Sequence, residues 1–184
     1  MEIVVGVLVA IAVLAILVAV WLFLQKRRTE HLQQGFGPEY ERTVHETGGR
    51  RAAESELHER EKRVEKLHIR PLSAEERSRF SAQWEQTQAR FVDDPDATID
   101  EADRLVGAVM QARGYPVGEF EQRAADISVD HPGVVSHYRA AHRIALGHER
   151  GESSTEDLRQ GIVHYRALFD ELLQEDRVEE EARR

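Results

Sequence analysis

Residues Ile3 to Leu24 form an unbroken run of twenty-two apolar residues, and Lys26, Arg27 and Arg28 follow after a single glutamine. No other feature restricts the chain as much. As a helix rising about 1.5 Å per residue the run reaches about 33 Å, enough for a hydrocarbon core of about 30 Å. Ten of its residues are β-branched, which in water would favour a strand. In lipid a lone strand leaves its backbone groups unpaired, so a helix is the expectation. Sixteen residues are Val, Ile, Leu or Phe, for which insertion is worth about −5 to −10 kcal/mol. Trp21 and Phe23 sit near the C-terminal end of the run, where an aromatic belt would form.

A cleaved signal peptide needs a basic leader, a shorter apolar core and a small-residue cleavage site. Here Glu2 is the only charged residue before the run, and the run ends in Trp-Leu-Phe-Leu. The expectation is therefore a retained anchor over residues 1–24. The basic residues all lie on its C-terminal flank, and the positive-inside rule places the N-terminus outside and residues 25–184 in the cytoplasm. Arginine outnumbers lysine 22 to 3, which suggests a GC-rich bacterial source and hence the inner (plasma) membrane. Gly6 and Ala10, then Ala15 and Ala19, stand four apart. Such spacing allows close helix approach and a weak homodimer.

Beyond the anchor the chain carries 33 acidic and 25 basic residues. That balance speaks against nucleic acid, which requires clustered cations. Absence of cysteine excludes disulfides, thiolate chemistry and cysteine zinc sites.

The remaining periodicities are helical, and no segment alternates with period two. Gly35-Phe36-Gly37-Pro38 and Gly48-Gly49 read as breaks. Arg50 to Leu67 is charged throughout, with Ala53, Leu57, Val64 and Leu67 as a thin apolar stripe and Arg60 in the seam. Residues 25–70 thus read as a juxtamembrane segment and solvated helical stalk, with a short coiled coil as the alternative. A compact domain is expected over residues 71–175. Ser73 to Glu76 is a capping box, followed by Phe80, Trp84, Thr87 and Phe91 on one face. Asp94 and Pro95 open a helix whose face is Ile99, Ala102, Leu105, Val106, Val109 and Met110, with Gly114 as its left-handed cap. A shorter helix carries Phe120, Ala124 and Ile127. Asp130-His131-Pro132 opens the next, with Val135, Tyr138, Ala141, His142 and Ala145 inward. Ser153 to Glu156 is a second capping-box candidate, ahead of Leu158, Ile162, Tyr165, Phe169 and Leu172. Residues 176–184 read as a disordered or frayed acidic tail. The fold class is all-α: a transmembrane helix, a stalk and a four- to five-helix antiparallel bundle.

Several stretches carry a resemblance: Phe36-Gly37-Pro38-Glu39-Tyr40-Glu41-Arg42, Arg90-Phe91-Val92-Asp93-Asp94-Pro95, Arg113-Gly114-Tyr115-Pro116, His137-Tyr138-Arg139-Ala140-Ala141-His142 and Ser154-Thr155-Glu156-Asp157-Leu158-Arg159. Over most of residues 35–175 the chain resembles an uncharacterised group of bacterial proteins with one N-terminal membrane helix and a helical domain. The group has no assigned function, so the resemblance implies no activity and no catalytic residue.

Chemistry-bearing motifs are few. The chain has no Gly-Lys-Ser or Gly-Lys-Thr phosphate loop, no His-Glu-x-x-His and no Gly-x-Ser-x-Gly. No catalytic residue, metal or cofactor is expected. His137, His142 and His148 are five and six residues apart and do not share a helical face. Asp93, Asp94 and Asp96 lack the glycine and distal Glu of a calcium loop and read as helix caps. One local repeat stands out: His137-Tyr138-Arg139-Ala140 recurs as His164-Tyr165-Arg166-Ala167. Tyr138 and Tyr165 read as core residues with solvated cations beside them. The alternative brings His137, His164, Tyr138 and Tyr165 around a small anionic ligand, with Arg139 and Arg166 as its forks, or builds a catalytic site there. The expected function is a membrane-anchored module that binds another protein, held in the bilayer by residues 3–24.

Overall fold

The computed structural model describes the backbone of residues 2–182 and the side chains of residue 14 and residues 16–174. Among these residues the chain is all-α, with eight helices and no strand. It divides into two compact units, Met1–Leu57 and His58–Arg184, and the division falls within the third helix.

The first unit holds α1 (Glu2–Phe36), α2 (Pro38–Thr47) and the start of α3 (Arg50–Val64). The expected breaks are where the backbone turns. Gly37 takes φ 48° between α1 and α2, and Pro38 supplies the first residue of α2, where its missing N–H costs nothing. Gly48 ends α2 at φ 75°. Leu32, Phe36, Tyr40, Ala53 and Leu57 are buried. Glu54 fastens the unit by accepting hydrogen bonds from Thr29 Oγ1 at 2.8 Å and the Tyr40 hydroxyl at 3.1 Å.

Earlier in α1, Leu14 and every large apolar residue from Ile16 to Leu24 is exposed, from 47 % at Val18 to 62 % at Leu14 and Ile16. Among the described residues no helix is long and apolar enough to cross a membrane. The expected span, Ile3 to Leu24, has its side chains at 3–13 and 15 outside the described residues, and so do Gly6, Ala10 and Ala15 of the small-residue spacing.

In the second unit the rest of α3 precedes α4 (Ala74–Arg90), α5 (Pro95–Arg113), α6 (Phe120–Asp130), α7 (Val135–Glu149) and α8 (Thr155–Ala182). These form a helical bundle. α5 packs on α4, α7 and α8, α8 packs on α7, and α6 packs on α7. The faces read from the sequence supply the core: Phe80, Trp84, Ile99, Val106, Val109, Tyr138, Ile162, Tyr165, Phe169 and Leu172 are all buried. Trp84 and Phe169 stack with centroids 4.7 Å apart.

Local chemistry sets the helix ends. Ser73 and Glu76 form the reciprocal box, with Ser73 N–H donating to Glu76 at 2.9 Å and Glu76 N–H to Ser73 at 3.1 Å. Asp94 accepts from Ala97 N–H at 3.1 Å. Gly114 caps α5 at φ 102°. A Cβ there would lie 2.4 Å from the His68 carbonyl oxygen, so both the backbone angle and the close approach require glycine.

Three local expectations need correction. The box before α8 lies one residue later than the Ser153–Glu156 reading. Ser154 accepts from Asp157 N–H at 3.2 Å and donates its own N–H to Asp157 at 2.8 Å, while Ser153 donates to the Ile144 carbonyl at 3.1 Å. Helix α7 starts at Val135 rather than at Asp130–Pro132, because α6 runs on to Asp130 and His131 caps it. Ala53, Leu57, Arg60 and Val64 of the expected solvated stalk are buried. The apolar stripe is therefore a packed face. Beyond residue 174 the α8 backbone continues to Ala182, but the side chains of the acidic tail lie outside the described residues.

Candidate functional site

The two His-Tyr-Arg-Ala repeats meet. The approach of Ile144 to Gly161 and that of His137 to His164 run in opposite order along α7 and α8, as in helices of opposite direction. The Nδ1 atoms of His137 and His164 are 2.9 Å apart. At that distance one ring donates its N–H to the other's lone pair. Burial, then His137 and Arg143, lowers the pKa of His164. Among the described residues no group of three or more His, Asp or Glu side chains could hold a metal ion.

Tyr138 and Tyr165 lie one residue further on, fully buried and edge to face at 6.4 Å. Their hydroxyls differ. Tyr165 donates to Asp103 Oδ1 at 2.9 Å, whereas the Tyr138 hydroxyl is buried with no hydrogen-bond partner among the described residues. Burial drives both phenol pKa values up, and Asp103 adds to the rise at Tyr165. Both remain neutral at physiological pH. Arg123 lies over the Tyr138 ring at 5.9 Å. Phe120 stacks on His142 with centroids 3.6 Å apart, and burial lowers the His142 pKa.

The arginines of the repeats diverge. Arg139 is buried and donates to Glu121 at 2.6 Å. Arg166 is exposed, 3.4 Å from Asp170. They form no common fork for an anion. The repeat thus supplies a histidine contact and two core tyrosines.

A second polar group, absent from the sequence reading, lies at the other end of α5. Arg113 is buried, donates to the Leu172 carbonyl at 3.1 Å and stands 3.5 Å from His131 Nε2. His131 is buried too. Desolvation, reinforced by Arg113, depresses its pKa to about 4, although Glu171 lies 3.7 Å from Nδ1. On α6, Asp126 is fully buried and accepts from Arg63 Nε at 2.7 Å and Gln122 at 2.8 Å. Arg60 reaches Ser128 at 3.4 Å. Tyr115 donates to Asp130 at 2.5 Å. Beside them opens a cleft of about 670 Å³, lined by Glu61, Glu65, Tyr115, Asp130, Arg113 and apolar neighbours. Its rim is mainly acidic, and its one guanidinium is engaged by a carbonyl, so it offers little to an anion.

The sequence held two signals for this group. Arg60 stands between Leu57 and Val64 in a seam that turned out to be buried, and a cation there requires a partner. Asp126 had a weaker one, enclosed by Ala124, Ala125 and Ile127.

No family model, curated protein or solved structure matches the chain.

Proposed function

We propose that the protein is a single-pass bacterial inner-membrane protein that holds a helical bundle against the cytoplasmic face as a docking module for another protein. The observation that carries the membrane part is the exposed surface of α1. Large apolar side chains from Ile16 to Leu24 point outward on every side of the helix, and a helix apolar all round calls for a nonpolar surrounding. With the preceding run from Ile3 it matches the length of a bilayer core. Lys26, Arg27 and Arg28 favour a cytoplasmic location for residues 25–184. The small residues of the span suit weak self-association. The resemblance of residues 35–175 to single-pass bacterial proteins points the same way.

The docking part is favoured by the fate of the arginines. The alternative, a small anionic-ligand-binding or catalytic bundle built on the His-Tyr-Arg repeats, would bring Arg139 and Arg166 into one pocket. One is instead paired with Glu121, and the other lies in water beside Asp170. The antiparallel bundle would then offer its outer surface to a partner. Detergent solubilisation of membranes followed by affinity capture of the tagged full-length chain should recover a defined stoichiometric partner. Recovery of the chain alone, under conditions that preserve known membrane complexes, speaks against a docking module.

A further inference from the structure

At the polar end of the apolar run, α1 and the start of α3 enclose a cleft of about 570 Å³ within the first unit. Its α1 wall takes residues from Leu22 to Gln33 on one helical face, and its α3 wall is Arg50, Arg51 and Glu54. The α1 wall starts at apolar Leu22 and passes Lys26 one turn on, and the α3 wall adds the cations Arg50 and Arg51. The two acidic side chains are already occupied. Glu54 accepts from Thr29 and Tyr40, and Glu30 stands 3.8 Å from Lys26. Arg50 and Arg51 are exposed and form no hydrogen bond or ion pair among the described residues.

Guanidinium groups favour phosphate through paired N–H donors. An amphipathic cleft, with Leu22 toward the apolar segment and cations beyond it, matches the order of groups along a phospholipid. Net charge decides between a diffuse and a discrete attraction. The chain is at −9 overall, which opposes general adhesion to an anionic surface and leaves local cation clusters to recognise single headgroups.

We propose that this cleft binds the phosphate of an anionic phospholipid, with Arg50 and Arg51 as the forks and Lys26 beside them. The proposal rests on the membrane-anchor reading of the preceding section. The same chemistry would also accept a soluble phosphate, and the test separates the two.

The full-length chain is solubilised from bilayers of equal phosphatidylglycerol and phosphatidylcholine, and retained lipid is read by native mass spectrometry. Wild type should retain phosphatidylglycerol in preference to phosphatidylcholine. Arg50→Gln with Arg51→Gln should lower that retention by about thirtyfold, the effect of two cations near an anionic surface. Arg50→Lys with Arg51→Lys should restore part of it, and unchanged helix content by circular dichroism would show that the variants fold. Excess inorganic phosphate should leave the lipid in place. Equal retention of the two lipids by wild type, or unchanged retention in the glutamine variant, overturns the site. Displacement by inorganic phosphate also overturns it, by assigning the cleft to a soluble anion. Alkaline carbonate extraction on the same membranes tests the anchor separately. Release of wild type there removes the anchor and the lipid site with it, whereas a retained chain without lipid preference overturns the site alone.

Discussion

The Tyr165 hydroxyl on α8 donates to Asp103 Oδ1 on α5 at 2.9 Å. Its edge-to-face neighbour Tyr138 buries a hydroxyl with no hydrogen-bond partner among the described residues. Two chemically identical deletions should therefore behave differently. Tyr165→Phe should destabilise the bundle by about 1.5 to 3 kcal/mol, because it removes a bond to a charged group. Tyr138→Phe should be neutral or stabilising by up to about 1 kcal/mol, because it removes a buried unsatisfied group. Urea unfolding followed by circular dichroism compares the two. Equal losses would show that the Tyr138 hydroxyl has a partner of comparable worth.

Gly114→Ala should be among the most damaging single substitutions. Arg70 N–H donates to the Arg113 carbonyl at 2.8 Å and fixes the segment whose His68 carbonyl lies 2.4 Å from the added Cβ. Backbone strain at φ 102° adds to the clash. A loss of about 2 to 4 kcal/mol is expected in the same unfolding assay. An effect below about 1 kcal/mol would mean that the segment moves freely.

Gly161 records how closely three helices approach. A Cβ at this position on α8 would lie 2.7 Å from Ile99 Cδ1 of α5 and 3.2 Å from Ile144 Cγ2 of α7. Overpacking by Gly161→Ala should cost about 1 to 3 kcal/mol. Adding Ile99→Val removes the nearest methyl and should recover part of that loss, a coupling that a double-mutant cycle measures directly. Strict additivity would place the strain elsewhere.

The helix caps were legible from sequence because they depend on groups within a few residues. Ser73 with Glu76, Asp94 with Ala97 and Gly114 after Arg113 are such cases. The box before α8 was misplaced by one residue because Ser153 and Ser154 each precede an acid three positions on, and only the bond from Ser153 to the Ile144 carbonyl separates them. The core faces followed from helical periodicity. The buried charges did not. Arg63 and Asp126 are 63 residues apart, and Arg113 and the Leu172 carbonyl 59; neither pairing leaves a local pattern. The histidine contact was visible only as a repeated tetrapeptide, and its arginines took different carboxylates, Glu121 on α6 for Arg139 and Asp170 one turn along α8 for Arg166, that a repeat cannot reveal.

His131 should make stability pH-dependent in one direction. Its folded pKa of about 4 lies below the usual 6.5, so the unfolded chain binds the proton more readily. The contribution is complete above pH 6.5 and is lost as pH falls toward 4, by about 3 kcal/mol at most. The urea midpoint of wild type should fall more steeply than that of His131→Gln across this window. Parallel slopes would show that the ring is solvated or that Glu171 offsets the burial.

Alkaline carbonate extraction of membranes from cells expressing the full-length chain bears most directly on the proposed anchor. The chain should stay in the membrane pellet and leave it only with detergent, while a version lacking residues 2–24 should be released into the supernatant. Release of the full-length chain by carbonate would mean that the apolar run from Ile3 to Leu24 does not span the bilayer.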